Sequence, residues 1–280
     1  NKKEVNCRLF ISKWHYFNKT LNLCQVENEN IEEDGFIISN NRDLSVNGFS
    51  IPNNKNVKFI PENIVDKFPQ LIAVQVFGCS VRSIGRKHFK ELQHLILLNL
   101  ARNEIVDIEE ASFRDLLSLE HLQLSHNKIE NLSAQIFDSL INLRFLYLES
   151  NSIKNLNSGV FNSLIQLDHI NLNSNQIEKL NQHQFKNLVN VRNVSLTNNQ
   201  LETIDSKLFS NCKQLEHVWL NENKIRSMKA ETFDGLSKLK WLDMRANICV
   251  NDGYLLAEFE TMRNDLRKNC SIVDESILKN

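Results

Sequence analysis

The sequence predicts a β-dominated solenoid of stacked repeats with a cap at each end, and three observations carry that reading. From Leu71 the chain repeats every 24 residues, with starts at Leu71, Leu95, Leu119, Leu143, Leu167, Val191, Leu215 and Leu239 and no insertion or deletion between them. The ninth position of the repeat holds Asn103, Asn127, Asn151, Asn175, Asn199, Asn223 and Asn247, with Cys79 in the first repeat as the break. Ten residues after each of these positions except Asn247 stands a Phe: Phe89, Phe113, Phe137, Phe161, Phe185, Phe209 and Phe233. A fixed period of this length marks units that stack on their neighbours because none buries its apolar face alone.

The elements follow in order. Residues 1–70 form an N-terminal cap in which Cys7 and Cys24 bracket a polar and aromatic stretch, with strands expected over 35–38 and 44–51. Val57, Ile60, Val65 and Phe68 keep the apolar spacing of the second half of a repeat, so half a repeat precedes Leu71 and the solenoid is expected to start near residue 47. Residues 71–248 are the eight repeats. Each opens with LxxLxL, and strand alternation turns its fourth and sixth positions inward and its third and fifth outward. The Asn amide suits the point where the chain leaves the strand, since it can both donate to and accept from backbone groups. The Phe column fills the return side and belongs to the core. Residues 249–280 form a C-terminal cap. Asp252 is the expected N-cap of a helix over 254–266, whose Leu255, Leu256, Phe259, Met262 and Leu266 make one apolar stripe packing on the last repeat.

With these columns in place, stretches such as LEHLQLSHNKIENLSAQIFDSL (Leu119 to Leu140) closely match LxxLxLxxNxLxxLxxxxFxxL. The chain resembles the extracellular leucine-rich repeat proteins of animals, over roughly two-thirds of its length. The resemblance implies a right-handed solenoid or horseshoe, α/β by convention, with a parallel sheet on its concave side and disulfide caps at both ends. Its richness in Asn and its single-bridge caps look most like insect secreted or Toll-type ectodomain-like members.

Composition narrows the partners. Lys+Arg 33 against Asp+Glu 34 gives a net charge of -1, which offers no electrostatic case for nucleic acid or an anionic membrane. No run of eighteen apolar residues is present, so membrane insertion is not expected, and a chain opening at Asn1 without a leader reads as mature or trimmed. Cys7 with Cys24 and Cys249 with Cys270 are local pairs where a bridge would hold a cap, pointing to an extracellular compartment. Cys79 and Cys212 lie five repeats apart, on the order of 24 Å at strand spacing, and are expected as buried free thiols. Sequons make Asn18, Asn131 and Asn193 glycosylation candidates, with Asn269 the weakest because Cys270 follows it. Yet 39 Asn and 28 Ser plus Thr in 280 residues yield about four sequons by chance, so the number proves nothing.

No nucleophile motif, phosphate-cradling glycine loop or HExxH run is present, and no cofactor is implied. His121, His169 and His217 share the third position, but pairs two repeats apart stand about 10 Å from each other, too far to share a metal. What remains is a surface. The outward third column reads Ala73, Leu97, His121, Phe145, His169, Asn193, His217 and Trp241; the fifth reads Gln75, Asn99, Gln123, Tyr147, Asn171, Ser195, Trp219 and Asp243. Three of the six Tyr and Trp residues fall in these sixteen positions, where even scattering predicts about 0.3. The candidate site is therefore His121, Gln123, Phe145, Tyr147, His169, Asn171, His217, Trp219 and Trp241, because exposed aromatics of this kind dominate interface energetics. Strand positions also favour aromatics on their own account, and Trp241 can be covered by the cap helix. Arg144, Glu149, Glu222 and Arg245 alongside carry both signs, so a strongly charged partner is not implied. The function expected is a secreted, non-enzymatic protein that binds a protein or glycan through this face, in innate immunity or cell-surface recognition. A membrane-receptor ectodomain cut before its span and a self-assembling module, a homodimer included, stand as alternatives.

Overall fold

The computed structural model describes residues 3–14, 19–26, 36–38 and 43–270. They divide into two compact units, Asn1–Ile129 with Gln135–Leu146, and Glu130–Ala134 with Tyr147–Asn280. Both are built as the period requires: parallel strands in register on one side, return segments on the other, and a disulfide in each terminal cap.

In the N-terminal unit, Arg8–Trp14 and Lys19–Gln25 form an antiparallel hairpin. The second of these pairs in parallel with Gly48–Pro52, which is followed by Ala73–Phe77, Leu97–Asn99 and His121–Gln123. Val74, Val76, Leu98, Leu100, Leu122 and Leu124 point inward and are wholly buried. Behind them Phe89, Phe113 and Phe137 stack at 6.3 and 6.2 Å between centroids. Each such ring removes apolar surface worth about 1.5–3 kcal/mol from water. The Cys7–Cys24 bridge, spanning 17 residues, ties the hairpin to the chain's start.

One expectation for the cap needs correction. The strand expected over 44–51 is Gly48–Pro52, because Asp43 Oδ1 accepts both the Ser45 N–H and its hydroxyl and turns the chain there. The strand expected over 35–38 is Phe36–Ile38, with residue 35 outside the described residues; it joins Lys3–Val5 in a separate pair and is held by Asn63, whose amide exchanges both bonds with the Ile38 backbone. Gly48 pairs with Ala73, an offset of 25 where later strands keep 24. The extra residue lies between Asn53 and Val57, and it accounts for the break in the Asn column. With Cys79 in place of Asn, the Val57 N–H finds the Asn54 carbonyl at 3.0 Å, and the thiol makes only weak contacts, 3.5 Å each, with Ile51 O and Phe77 O.

In the C-terminal unit, His169–Asn171, Asn193–Ser195, His217–Trp219 and Trp241–Asp243 run parallel in exact 24-residue register. Phe161, Phe185, Phe209 and Phe233 stack at 6.1, 5.8 and 5.8 Å. The Asn column stitches successive turns. Asn199 Nδ2 donates to Leu172 O and Leu196 O at 3.0 and 3.1 Å while its Oδ1 accepts the Ile177 N–H at 3.0 Å; Asn175 and Asn223 repeat the pattern. Cys212 is buried and unbridged, as is Cys79 in the other unit.

The cap helix is shorter than its apolar stripe suggests. Gly253–Leu255 is a strand, antiparallel to Trp241–Asp243, and the α-helix covers Phe259–Asn269. Sheet pairing wins because it buries Tyr254, whose hydroxyl donates to Asp265 Oδ2 at 3.0 Å, and Asp252 caps no helix. Met262 and Leu266 do pack inward, whereas Leu255 and Leu256 are left exposed. Cys249–Cys270 closes the end of this helix onto the last turn. Among the described residues no helix is long and apolar enough to cross a membrane.

Candidate binding face

The third and fifth positions lie on the sheet face turned from the leucine core, and the two units furnish that face differently. In the N-terminal unit Ala73 and Leu97 are fully buried in a cluster with Leu21 and Leu23 of the hairpin, Ile72 packing at its side. Gly48 lies beneath: a Cβ there would collide with the Leu23 side chain, so its absence lets the hairpin leucines cross the face. The first half-exposed ring is His121, stacked on Phe145 at 4.5 Å and 11°, with the Arg144 guanidinium 5.5 Å from the Phe145 centroid. Burial, then the Arg144 charge, pushes His121 down to about 4, so the imidazole is neutral at physiological pH. Gln123 is half-buried on the next outward position.

In the C-terminal unit every predicted residue is half-exposed: Tyr147, His169, Asn171, His217, Trp219 and Trp241. Tyr147 meets His169 at 5.4 Å, tilted by 41°, and burial holds the His169 imidazole below its usual value. His217 lies on Trp219 at 5.6 Å and 21°. Trp241 is covered on one side by Gly253, where an added Cβ would stand 2.6 Å from its ring; the cover is thus the antiparallel strand and not the helix. Burial alone would raise the Asp243 carboxyl, but hydrogen bonds from the Arg245 side chain and N–H and its charge outweigh it and hold it low.

Between these rings runs a polar network that the reading of two columns missed. Ser195 Oγ donates to Asn173 Oδ1 at 2.6 Å, the Thr197 N–H donates to the same oxygen at 2.8 Å, and Thr197 Oγ1 donates to Asn221 Oδ1 at 2.7 Å. His217 Nδ1 lies 2.9 Å from Asn193 Oδ1. Asn173, Thr197 and Asn221 are seventh-position residues; the same period-two alternation carried two residues further would have found them. Of the sequons, Asn131 is exposed on a connecting segment, Asn193 sits in the strand and its partner Ser195 is buried, and Asn18 lies outside the described residues. Among the described residues no cluster of His, Cys, Asp and Glu could hold a metal ion.

A sequence profile described as Leucine rich repeat matches residues 69–129, 98–153, 141–201 and 189–247, well over half the chain. The chain belongs to the leucine-rich repeat family. No curated protein matches it. Solved leucine-rich repeat structures are similar in fold: a leucine-rich repeat protein of Leptospira interrogans, 22% identical, TM-score 0.62, with 78% of this chain and 54% of that one covered; TLR13 in its complex with ssRNA13, 24% identical, TM-score 0.57, 75% and 33% covered; and the plant peptide hormone receptor RGFR1 in complex with RGF2, 22% identical, TM-score 0.57, 76% and 32% covered. The chain thus spans about a third to about half the length of these relatives. Leucine-rich repeat solenoids generally serve as binding scaffolds, and none of these matches indicates an enzyme family.

Proposed function

We propose that this chain is a non-enzymatic extracellular binding protein of the animal, insect-like type, whose sheet face engages a protein or glycan partner. The observation that carries the reading is the C-terminal unit's run of half-exposed Tyr147, His169, His217, Trp219 and Trp241 around a hydrogen-bonded amide network, on positions the repeat leaves free of any framework duty. The disulfide in each cap supports an oxidising compartment. The division into a cap over 1–70, repeats over 71–248 and a cap over 249–280 belongs to the same proposal, as do glycans on Asn18, Asn131 or Asn193. TLR13 is described with ssRNA13; for this chain a balance of 33 basic against 34 acidic residues speaks against nucleic acid. A receptor ectodomain is the second reading, favoured by the similarity to a peptide hormone receptor three times as long as the stretch matched. A homodimer through the face is the third.

The test is capture of partners from extracellular fluid on immobilised protein, comparing wild type with Tyr147→Ala/Trp219→Ala and, separately, with His121→Ala/Phe145→Ala. Loss of a partner by one pair assigns the face of that unit. Recovery of every partner by both pairs removes the sheet face from the function.

A further inference from the structure

The network on the C-terminal unit's face has a direction. Asn171 Oδ1 accepts the Asn173 N–H at 3.1 Å, and Asn173 Oδ1 accepts the Thr197 N–H and the Ser195 hydroxyl. A backbone N–H can only donate, so both amides are oriented with the oxygen turned into the network and Nδ2 turned away from it. Asn193 Oδ1 lies 2.9 Å from His217 Nδ1 and accepts from it in the tautomer that carries the proton on Nδ1. Among the described residues, none of the Nδ2 groups of Asn171, Asn173 and Asn193 donates within the chain. The face therefore offers fixed donors while its amide acceptors are consumed. Of the carboxylates, lysines and arginines in the unit's third, fifth and seventh columns, Asp243 and Arg245 neutralise each other, Arg245 donating to both carboxylate oxygens, and the remaining one is the half-buried Glu149.

We infer that this face binds an uncharged oligosaccharide, the three amides donating to hydroxyl, ring or acetamido oxygens while Tyr147, Trp219 and Trp241 pack against the C–H faces of the sugar rings. The inference rests on the reading of this face as the binding surface and names its ligand class. A peptide fits less well. Every peptide unit that presents a carbonyl also brings an N–H, and a donor array with spent acceptors leaves those N–H groups desolvated and unpaired. A sugar hydroxyl accepts from an amide and turns its own proton to a neighbouring hydroxyl or to water, so nothing is stranded. Anionic glycans and phosphates find no free cation among these columns to repay their desolvation.

The experiment uses the full chain with its disulfides formed, from a host that adds no N-glycan, so that Asn193 Nδ2 is unmodified. Cellohexaose, chitohexaose and mannopentaose are titrated while tryptophan emission is followed, with oligogalacturonate and a heparin hexasaccharide as acidic comparisons. Saturable binding of at least one neutral probe is expected, changing little between 50 mM and 500 mM salt. Trp219→Ala is expected to weaken it tenfold or more. Asn173→Asp retains the oxygen that Ser195 and Thr197 use and turns the outward donor into a charged acceptor, so it is expected to weaken binding by a similar factor with an unchanged melting temperature. Saturation by no neutral probe, binding confined to the acidic ones, or an Asn173→Asp variant that binds like wild type overturns the inference. If no sugar binds but Tyr147→Ala/Trp219→Ala still loses a captured protein, the face stands and the sugar falls; if both fail, both fall.

Discussion

The two units share one repeat, one Asn ladder and one Phe stack, yet their sheet faces differ in kind. In the N-terminal unit the third column begins Leu23, Gly48, Ala73, Leu97 and is sealed as a small second core, opening only at His121 and Phe145. In the C-terminal unit the same column runs His169, Asn193, His217, Trp241 and stays half-exposed throughout. The period dictates what faces inward; it leaves the outward columns to be either closed by a cap or kept for a partner. Equal positions in the repeat are therefore unequal in energy.

That inequality is measurable at one column position. Leu97→Ala, in the sealed cluster, is expected to cost about 2–4 kcal/mol, the range for a buried leucine whose cavity only partly collapses. Asn193→Ala, four repeats later in the same column and half-exposed, is expected to cost less than about 1 kcal/mol. Urea titration of both variants decides: similar losses would mean that the two faces are not energetically distinct, and binding assays should rank the pair in reverse.

The framework columns sharpen the comparison next. Asn199→Ala leaves the Ile177 N–H and two carbonyls without their buried partner and is expected to cost roughly 2–3 kcal/mol. Cys79→Ala, at the same position in the N-terminal unit, is expected to cost about 1 kcal/mol, because the Asn54 carbonyl already satisfies the Val57 N–H and only weak thiol contacts are lost. Denaturant midpoints that fall equally would show that the extra residue in the half repeat before Leu71 does not replace the missing amide.

A smaller effect follows from protonation. His121 titrates near 4 in the folded chain against about 6.5 for an unperturbed imidazole. The unfolded chain therefore binds more protons between these values, and the contribution of His121 to stability is full above about pH 6.5 and is lost as pH falls toward 4. His121→Gln is expected to flatten the decline of melting temperature with acidification across this window. A slope identical to wild type would mean that burial and the Arg144 charge do not hold the ring neutral.

These contrasts also mark how far residues alone could lead. The Leu, Asn and Phe columns, both cap disulfides and the eight repeat starts are legible because each repeats a local rule, or pairs cysteines close in sequence. The strand at Gly253–Leu255 was not, since the apolar spacing of Leu255, Leu256 and Phe259 reads as helix until Trp241–Asp243 supplies a pairing edge. Nor was the closure over Ala73 and Leu97, which depends on a hairpin 50 residues earlier in the chain and on Gly48 giving it room. The site residues were legible as positions on a face. Their orientation, amide oxygens inward and nitrogens outward, arises only when Asn173 meets Thr197 one repeat away.

The smallest expected effect concerns the residue just before the Asn column. Arg102, His126, Ser150, Ser174, Asn198, Glu222 and Ala246 all hold φ between 52 and 58°, the left-handed region that costs a residue with a Cβ about 1 kcal/mol or more. Most of these side chains are polar and Asn198 suits the conformation, but Ala246 has nothing with which to offset it. Ala246→Gly keeps the N–H that Asn251 Oδ1 accepts and relieves the strain, while the freer unfolded chain takes back part of the gain. A net stabilisation of about 0.5 kcal/mol is expected, visible as a rise of one or two degrees in melting temperature. Asn198→Gly, at the same place one turn from the amide network, should gain nothing. If both variants rose together, backbone strain alone would set the energy of this column, with no share for the side chain that occupies it.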